Sequence, residues 1–302
     1  MASTCGAFVG EKTAGASEYH SNDFDWEDLR AEVEALSYKQ EQFTESHSCN
    51  GLIAKPWIPD PRSWEKFHAR DNATARFYKE RRYLLLEFPS LADAAQPQHV
   101  LEIGCGCGSS LLPVLKANTA ARVTATDLSP TAVRLFCDAA ERAGIAADRY
   151  TAFPCDAADP EIGNRLLAGL EADSVLLIFT LAALCPEGQH VMLSNAFKAL
   201  RQGGLLLIRD HGLYDITHLR MTPDRQLGEN LYRRGDGTLC YFFSTEDLAS
   251  KAEAAGFEAV ECKYVCVRLM NRKKQFEMRR VFVHGVFRKP VAQSSAQCKV
   301  GL

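Results

Sequence analysis

The sequence contains no apolar run long enough to cross a bilayer. Its longest, "SVLLIFTLAAL" at residues 174–184, falls short of the roughly 20 residues that a membrane-spanning helix needs. The first residues lack the basic and then apolar order of a signal peptide, and they carry the acids that transit peptides avoid. We therefore expect a protein of the cytoplasm, with the nucleus as the alternative, and no membrane partner.

Paired cysteine motifs are also missing. The chain has 11 cysteines, but none are spaced as C-x-x-C, and they are scattered along the sequence. Disulfide frameworks and zinc sites use regular pairs, so neither is expected, and no metal is predicted. Several of these cysteines, such as Cys137, Cys155 and Cys185, lie in apolar segments, where cysteine acts as a small hydrophobic residue.

A strong excess of one charge is absent as well, because the net charge is only −3. The distribution along the chain is nevertheless uneven. Residues 1–45 hold ten acidic residues against three basic ones, whereas residues 268–290 hold eight basic residues against one acid, Glu277. An acidic arm therefore precedes a mildly basic body.

Apolar spacing divides the chain into three parts. An acidic, partly disordered extension (1–60) is followed by one α/β domain (61–290) and a flexible tail (291–302). Within the extension, residues 24–43 have helical spacing, and a second helical region covers 63–89. A long connection at 211–243 is predicted to be an insertion that forms a lid or a binding surface.

From residue 99 onward, strand patterns alternate with helix patterns. The alternation predicts a mostly parallel sheet covered on both faces, and two adjacent strand patterns near the end predict an antiparallel edge hairpin. Ser129 and Pro130 are typical of a helix start. Predicted strands cover 99–104, 121–127, 150–155, 174–180, 204–210, 257–269 and 276–288, and predicted helices cover 109–117, 130–143, 161–170, 188–201 and 245–255.

The stretch "VLEIGCGCGSSLLPVL" (100–115) places closely spaced glycines between a strand and a helix. Glycine lets such a turn be tight and lets a ligand approach the backbone. The spacing is G-x-G-x-G rather than the G-x-G-x-x-G of dinucleotide sites, and Glu102 precedes it. Gly104 and Gly106 are predicted to contact a cofactor.

Two more acids, Asp127 and Asp156, end the second and third predicted strands. Asp127 lies at the distance from the turn where an acid binds ribose hydroxyls. Together with Glu102, these acids suit a ligand that combines adenine, ribose and a cationic amino-acid tail. S-adenosylmethionine is that ligand, and a Rossmann turn that binds another nucleotide is the alternative.

Several longer motifs resemble the tRNA 3-methylcytidine methyltransferases over about residues 63–290. They are "FYKERRYLLLEFP", "LEIGCGCGSSLLPVL", "TDLSPTAV", "LLIFTLAAL", "GGLLLIRDHGLYDITHLR", "LGENLYRRGDGTLCYFF" and "RRVFVHGVFRKP". The resemblance implies a class I Rossmann-like methyltransferase that uses S-adenosylmethionine, yields S-adenosylhomocysteine, and methylates N3 of a cytidine in the tRNA anticodon loop, usually nucleotide 32.

The resemblance also implies cofactor contacts. Asp127 would hold the ribose, Asp156 would meet the adenine amino group, and Ile178 would pack on the ring. This sequence departs from the family at His68, where Tyr is usual, at Ala157, where Leu is common, and at His211, where the family has "RDYG". The full predicted cofactor-binding set is Trp64, His68, Glu102, Gly104, Gly106, Asp127, Leu128, Asp156, Ala157 and Ile178.

For catalysis we expect Asp210, at the end of the fifth predicted strand, to accept from the exocyclic amine of the target cytosine. Arg209 is expected to orient Asp210 or to contact phosphate, and a structural salt bridge is the alternative. The target base must leave its stack, so the candidates for stacking are Tyr214, Tyr232, Tyr241 and Phe242, with core packing as their alternative. Predicted RNA contacts are Arg76, Lys79, Arg81, Arg82, Tyr214, Arg233, Arg234, Arg272, Lys273 and Lys274.

Other readings remain open at this point. A methyltransferase that acts on a protein or small molecule would share every cofactor residue, and an inactive, methyltransferase-like RNA-binding subunit would share the fold. A nicotinamide dehydrogenase disagrees with the glycine spacing. Some members of the family depend on an aminoacyl-tRNA synthetase or another accessory protein, and the acidic helix at 24–43 would either dock such a partner or cover the body.

Overall fold

A seven-stranded sheet forms the centre of the molecule. The computed structural model describes residues 21–35, 60, 62–72, 79–271 and 275–291. Its strands, in chain order, are β1 (Gln98–Ile103), β2 (Ala121–Asp127), β3 (Tyr150–Pro154), β4 (Ala172–Ile178), β5 (Leu200–His211), β6 (Gln226–Gly228), β7 (Leu231–Arg233), β8 (Leu239–Tyr241), β9 (Glu258–Asn271) and β10 (Phe276–Arg288).

The strand order in the sheet is β3-β2-β1-β4-β5-β10-β9. Strands β1 to β5 pair in parallel, and β10 pairs antiparallel with both β5 and β9. The predicted parallel sheet with an antiparallel edge hairpin is therefore confirmed. Because β1 lies between β2 and β4, the chain reverses direction across the sheet at β1, and ligands of open α/β sheets bind at such a point.

Helices cover both faces of this sheet. In chain order they are α1 (Trp26–Glu34), α2 (Ser63–Lys66), α3 (Leu84–Glu87), α4 (Leu111–Ala117), α5 (Pro130–Arg142), α6 (Pro160–Leu167), α7 (Pro186–Ala199) and α8 (Thr245–Ala254). One buried cluster joins α6, α7 and α8 to the sheet, and a second joins α3, α4 and α5 to its other face. None of the described helices is both long and apolar enough to span a membrane.

Local sequence signals set several helix starts. The Ser129 hydroxyl accepts from the Ala132 amide at 3.1 Å, and Pro130 occupies the first helical position of α5, as predicted. The second predicted helical region is broken in the structure. There α2 has four residues and continues as a wider π-turn over Phe67–Asp71, closed by the Asn72 amide on the Phe67 carbonyl at 3.0 Å.

The N-terminal helix packs on the edge hairpin of β9 and β10. Leu29 and Val33 are buried against Cys266 and Val281. On its polar side, Glu32 forms a two-pronged ion pair with Arg279, at 2.6 and 2.8 Å. The described part of the acidic extension therefore covers the basic hairpin, and the rest of the predicted helix, 36–43, lies outside the described residues.

The long connection after β5 forms a small sheet of its own, in the order β6-β7-β8. It leaves and rejoins the domain at one place, where Gly212 bridges Phe243 and the Phe243 amide donates to the His211 carbonyl at 2.9 Å. The insertion therefore stands over the carboxyl end of β5, beside the point where β1 and β4 end.

A buried charged network joins α3 to the sheet. Glu87 accepts from Arg209 at 2.5 Å and contacts His284 Nδ1 at 3.0 Å. The side chains of Arg209 and Glu87 are 5% and 1% exposed. Removing one partner of a buried pair leaves an uncompensated charge, which costs about 3–5 kcal/mol.

We expect Glu87→Leu to lower the free energy of unfolding by about 3–5 kcal/mol for that reason. Urea denaturation measures the loss. Glu80→Leu is the matched control, because Glu80 pairs with Arg82 and Lys116 at the surface and such pairs contribute about 0–1 kcal/mol. Equal losses for the two variants would contradict a stabilising role for the buried network.

Candidate functional site

The glycine turn after β1 needs glycine for steric reasons. Gly104, Gly106 and Gly108 have φ angles of 78°, 53° and 84°, which L side chains rarely adopt. A Cβ on Gly104 would lie 2.4 Å from a methyl carbon of Thr180, and one on Gly108 would lie 2.5 Å from the ring of Phe136. The turn therefore brings bare backbone against the ends of β2 and β4.

Asp127 ties this turn to the end of β2. Its Oδ2 accepts from the Gly106 amide at 2.9 Å, and its Oδ1 accepts from the Ser129 amide at 2.9 Å. Burial raises the pKa of Asp127, while the two amides and nearby His68 oppose that rise. The carboxylate thus fixes both the glycine turn and the start of α5.

A cavity of about 450 Å³ opens at the carboxyl ends of β1, β2, β3 and β4. A volume of this size suits a small-molecule ligand. Nine of the ten predicted cofactor-binding residues line it together, although their contacts with a cofactor remain predictions. They are Trp64, His68, Gly104, Gly106, Asp127, Leu128, Asp156, Ala157 and Ile178.

Glu102 is the predicted residue that does not line the cavity. It is fully buried in β1, and neither of its carboxyl oxygens has a hydrogen-bond partner among the described residues. Burial raises the pKa of Glu102 to about 8, with the Ser110 hydroxyl and Arg81 opposing the rise. The group is therefore mostly protonated at neutral pH.

His68 takes the place that Tyr has in the family. It is buried, and its Nδ1 lies 3.2 Å from the side-chain nitrogen Nδ2 of Asn72. Burial lowers the pKa of His68, and the carboxylates of Asp127 and Glu65 only partly offset this. The imidazole is therefore a neutral wall of the cavity.

Asp210 lies behind the cavity wall. It is fully buried, its Oδ2 accepts from the Ala182 amide at 2.9 Å, and its Oδ1 accepts from the His211 amide at 2.8 Å. Burial raises the pKa of Asp210 to about 7. Its carboxylate is engaged by backbone that lines the cavity, so this conformation offers no route for the predicted contact with a cytosine amine.

Arg209 lies on the opposite face of β5, because successive side chains of a strand alternate. Besides its bond to Glu87, its guanidinium lies 4.8 Å from the ring centre of Tyr83 and 4.4 Å from that of Phe282. The structural salt bridge left open by the sequence is therefore present, with Glu87 as the partner. Arg209 does not line the cavity.

The far end of the cavity combines aromatic rings with arginines. Phe179 has a φ of 58°, a strained value for a non-glycine residue, and its ring lies 5.6 Å from Phe282. Three arginines line the cavity: Arg234, Arg280, which pairs with Asp215 at 2.8 Å, and Arg81, which also donates to the Ser110 hydroxyl beside the glycine turn at 3.2 Å. Phe179 was missed from the sequence, because it directly follows the apolar run of β4 and only its backbone angle separates it from the core.

His211 belongs to the same end. Its Nε2 lies 3.0 Å from Nη2 of Arg234, which can only donate. Burial lowers the pKa of His211 to about 3, and the charge of Arg234 adds to the effect. The imidazole is therefore neutral and accepts from Arg234, which fixes the guanidinium at the cavity wall.

The other predicted RNA contacts are scattered. Lys79 and Arg82 are exposed, whereas the Tyr214 hydroxyl donates to Glu34 of α1 at 2.9 Å. Arg233 is half-buried at the end of β7. Four lie outside the described residues: Arg76, Arg272, Lys273 and Lys274.

Three of the four aromatic residues proposed for base stacking are part of the core, and the fourth, Tyr214, is half-buried. Tyr232, Tyr241 and Phe242 are buried, and none of them lines the cavity. Core packing, the alternative left open by the sequence, is therefore what the structure shows. Separately, no group of three or more His, Cys, Asp or Glu side chains in the described ranges is arranged to hold a metal ion.

Comparison with known proteins adds three findings. Residues 74–262 match a family described as "Methyltransferase domain". A solved structure of a SAM-dependent methyltransferase from Anabaena variabilis superimposes with a TM-score of 0.58 and 14% identity, covering 80% of this chain and 99% of that one. Identity that low supports the shared fold alone, and it agrees with the class I methyltransferase architecture described above.

Two curated relatives are closer in sequence. "O-methyltransferase 3" of Dictyostelium discoideum is 38% identical over 207 residues, which are 68% of this chain but only 47% of that protein. The tRNA N(3)-cytidine methyltransferase METTL6 of Rattus norvegicus is 36% identical over 233 residues, which are 76% of this chain and 79% of that protein. The resemblance seen in the motifs is thus confirmed, and the chain belongs to the tRNA N(3)-cytidine methyltransferase family.

Proposed function

We propose that this chain transfers a methyl group from S-adenosylmethionine to N3 of a cytidine in tRNA and releases S-adenosylhomocysteine. One observation carries the proposal. A single cavity is lined both by the glycine turn and Asp127 and by Phe179 and Arg234. Arg81 lies between the two groups, because its guanidinium is 5.1 Å from the ring centre of Phe179 and donates to the Ser110 hydroxyl, beside the turn, at 3.2 Å. In a chain of this family, the side of the glycine turn suits the methyl donor and the side of Phe179 suits a nucleotide.

The residues present fit the cofactor. Asp127 and Asp156 offer carboxylates at the ends of neighbouring strands, and Ile178 and Leu128 offer apolar walls in the same cavity. Glu102 adds a buried carboxyl group that has no hydrogen-bond partner among the described residues. We assign the ribose to Asp127, the adenine amino group to Asp156 and one face of the ring to Ile178.

Methyl transfer to cytosine N3 requires alignment more than proton removal. The neutral ring has an in-plane lone pair at N3, and a bound S-adenosylmethionine supplies an electrophilic methyl on a sulfonium. The chain therefore has to position the two partners, which is the main contribution of a site without a general base. The engaged carboxylate of Asp210 agrees with this, since no residue has to take a proton from N3.

The acceptor end explains how an RNA loop would be held. Arg81 and Arg234 bring positive charge to the cavity lining, where the phosphates that flank an extruded nucleotide would contact them, whereas Arg280 is already paired with Asp215 at 2.8 Å. Phe179 offers an aromatic face for the base. Together these groups replace Asp210 and Tyr232 as the acceptor residues that we propose.

The finer parts of the function rest on the family. We propose nucleotide 32 of the anticodon loop as the target and the cytoplasm as the location. An aminoacyl-tRNA synthetase or another accessory protein is a candidate partner. In the acidic helix α1, the side chains that already contact the β9–β10 hairpin are Leu29, Val33 and Glu32. A partner protein would therefore bind the opposite, outward face of α1.

A second candidate function has one observation in its favour, the name of the Dictyostelium relative. Methylation of an oxygen needs a base for the hydroxyl proton. In this cavity the oxygens of Asp127 accept backbone amides, and Nε2 of His211 accepts from Arg234. Neither of these two groups is therefore placed as that base, and the sequence similarity to a tRNA N(3)-cytidine methyltransferase favours nitrogen as the acceptor.

We expect the purified chain, incubated with bulk tRNA and methyl-labelled S-adenosylmethionine, to produce 3-methylcytidine. Nucleoside digestion and mass spectrometry identify the product. Anticodon stem-loops with cytidine or uridine at position 32 test the target nucleotide. Label in a ribose oxygen or in protein, with none in 3-methylcytidine, would contradict the proposed acceptor.

Asp127→Asn should weaken S-adenosylmethionine binding by about 10- to 100-fold, because a charge-assisted hydrogen bond is replaced by a neutral one. Isothermal titration measures the dissociation constant. Asp138→Asn is the control, since Asp138 pairs with Arg134 on the surface of α5. A dissociation constant within twofold of the wild-type value in D127N would remove Asp127 from the ribose site.

Affinity for tRNA should fall steeply as salt rises, because phosphate contacts release counterions. In Arg82→Ala the slope of log affinity against log salt should shrink by about one phosphate contact. Arg82 is exposed and bonds Glu80 at 3.1 Å, so its removal leaves the core intact. An unchanged slope, measured by filter binding, would assign Arg82 to an ordinary solvated surface.

A further inference from the structure

Residues 62–72, called the lid here, cover one side of the cavity. Trp64 and His68 of the lid line the cavity directly. The helix of the lid, α2, has only four residues before the π-turn begins. So short a helix is not stable by itself, and contacts with the domain must hold it in place.

Glu65 provides such a contact. Its Oε1 accepts from the Thr131 hydroxyl at 2.6 Å, and its Oε2 accepts from the Thr131 amide at 3.2 Å and from the Ser129 hydroxyl. Ser129 is the N-cap residue of α5, and Thr131 is the second residue of that helix. Glu65 itself does not line the cavity.

The charge of Glu65 suits this position. Helix α5 has 13 residues, and the amides at a helix N-terminus favour an anion. The Ser129 hydroxyl, followed by the Thr131 hydroxyl, lowers the pKa of Glu65, so the carboxylate is ionised at neutral pH. Each bond to an ionised acceptor is stronger than a bond between neutral groups.

The same contact continues to the cofactor end of the cavity. The backbone amide of Ser129 donates to Asp127 Oδ1, and Asp127 Oδ2 accepts from Gly106. Glu65, Ser129, Asp127 and the glycine turn therefore form one continuous hydrogen-bond chain. These hydrogen bonds connect the position of the lid to the glycine turn, beside which we propose that the ligand binds.

We propose that Glu65 is a positioning residue that latches the lid over bound S-adenosylmethionine and slows the release of that molecule and of S-adenosylhomocysteine. The inference rests on the proposed function for the identity of the ligand. It concerns a residue that does not line the cavity and that acts through Trp64 and His68.

Glu65→Ala should raise the dissociation constants of both S-adenosylmethionine and S-adenosylhomocysteine by about tenfold, mainly through faster dissociation. Isothermal titration and stopped-flow fluorescence measure the two quantities without tRNA. Backbone amides of 63–72 should exchange faster with deuterium in this variant. Glu65→Gln keeps an acceptor for one donor and should fall between the variant and the wild type.

Glu141→Ala is the matched control, because Glu141 is exposed on the same helix, α5. It should change neither the dissociation constant nor the exchange of the lid. Thr131→Val approaches the latch from the other side. The double variant E65A/T131V should raise the dissociation constant by less than the two single effects combined, because both substitutions remove the same contact between Glu65 and Thr131. If E65A does not fold, the dissociation constants and lid exchange of E65Q and T131V test the latch instead.

Dissociation constants within twofold of the wild-type values, with unchanged exchange in the lid, would overturn the latch. Full additivity of E65A and T131V would do the same. A wild type that binds S-adenosylmethionine but forms no 3-methylcytidine would refute the proposed substrate and leave the latch standing. A wild type that binds no S-adenosylmethionine would refute the latch as a cofactor latch together with the proposed cofactor.

Discussion

The hydrogen bond between the Gly106 amide and the Asp127 carboxylate is the constraint on which the site depends. It closes the glycine turn of β1 against the end of β2, and the second oxygen of the same carboxylate fixes the start of α5. Positive φ angles at three glycines make this approach possible. Replacing any of these parts would move the others, because the turn, the carboxylate and the helix cap share the same few atoms.

The two ends of the cavity differ in the chemistry that they offer. One part of the lining consists of strand ends with acids and apolar walls, and another consists of Phe179, Phe282, Arg234 and Arg280. Arg81 reaches from Phe179 to Ser110, beside the glycine turn. The division matches a reaction in which a cationic donor and an RNA nucleotide meet at one point. Methyl transfer moves the positive charge toward the arginine end, where RNA phosphates would balance it and where the methylated, cationic base would be held less tightly.

Most of the fold could be predicted from the sequence, whereas part of the acceptor site could not. Strand and helix periods, the cap at Ser129 and the glycine turn are local signals, so they survive in a single sequence. The partner of Arg209 could not be predicted because it is remote: Arg209 bonds Glu87 across 122 positions of the chain. The catalytic role of Asp210 stays a prediction. Alternation along β5 already implied that the two side chains face opposite ways, and that signal was available. The backbone angle of Phe179 and the contact of Glu65 with α5 have no local signature.

The most direct measurement is a structure of the chain with S-adenosylhomocysteine and a tRNA anticodon stem-loop. The account predicts the ribose on Asp127, the adenine beside Asp156, and an extruded cytidine at the end lined by Phe179, Arg81 and Arg234, with N3 facing the sulfur. A stem-loop bound elsewhere on the surface, or a nucleoside lodged away from the glycine turn, would contradict it.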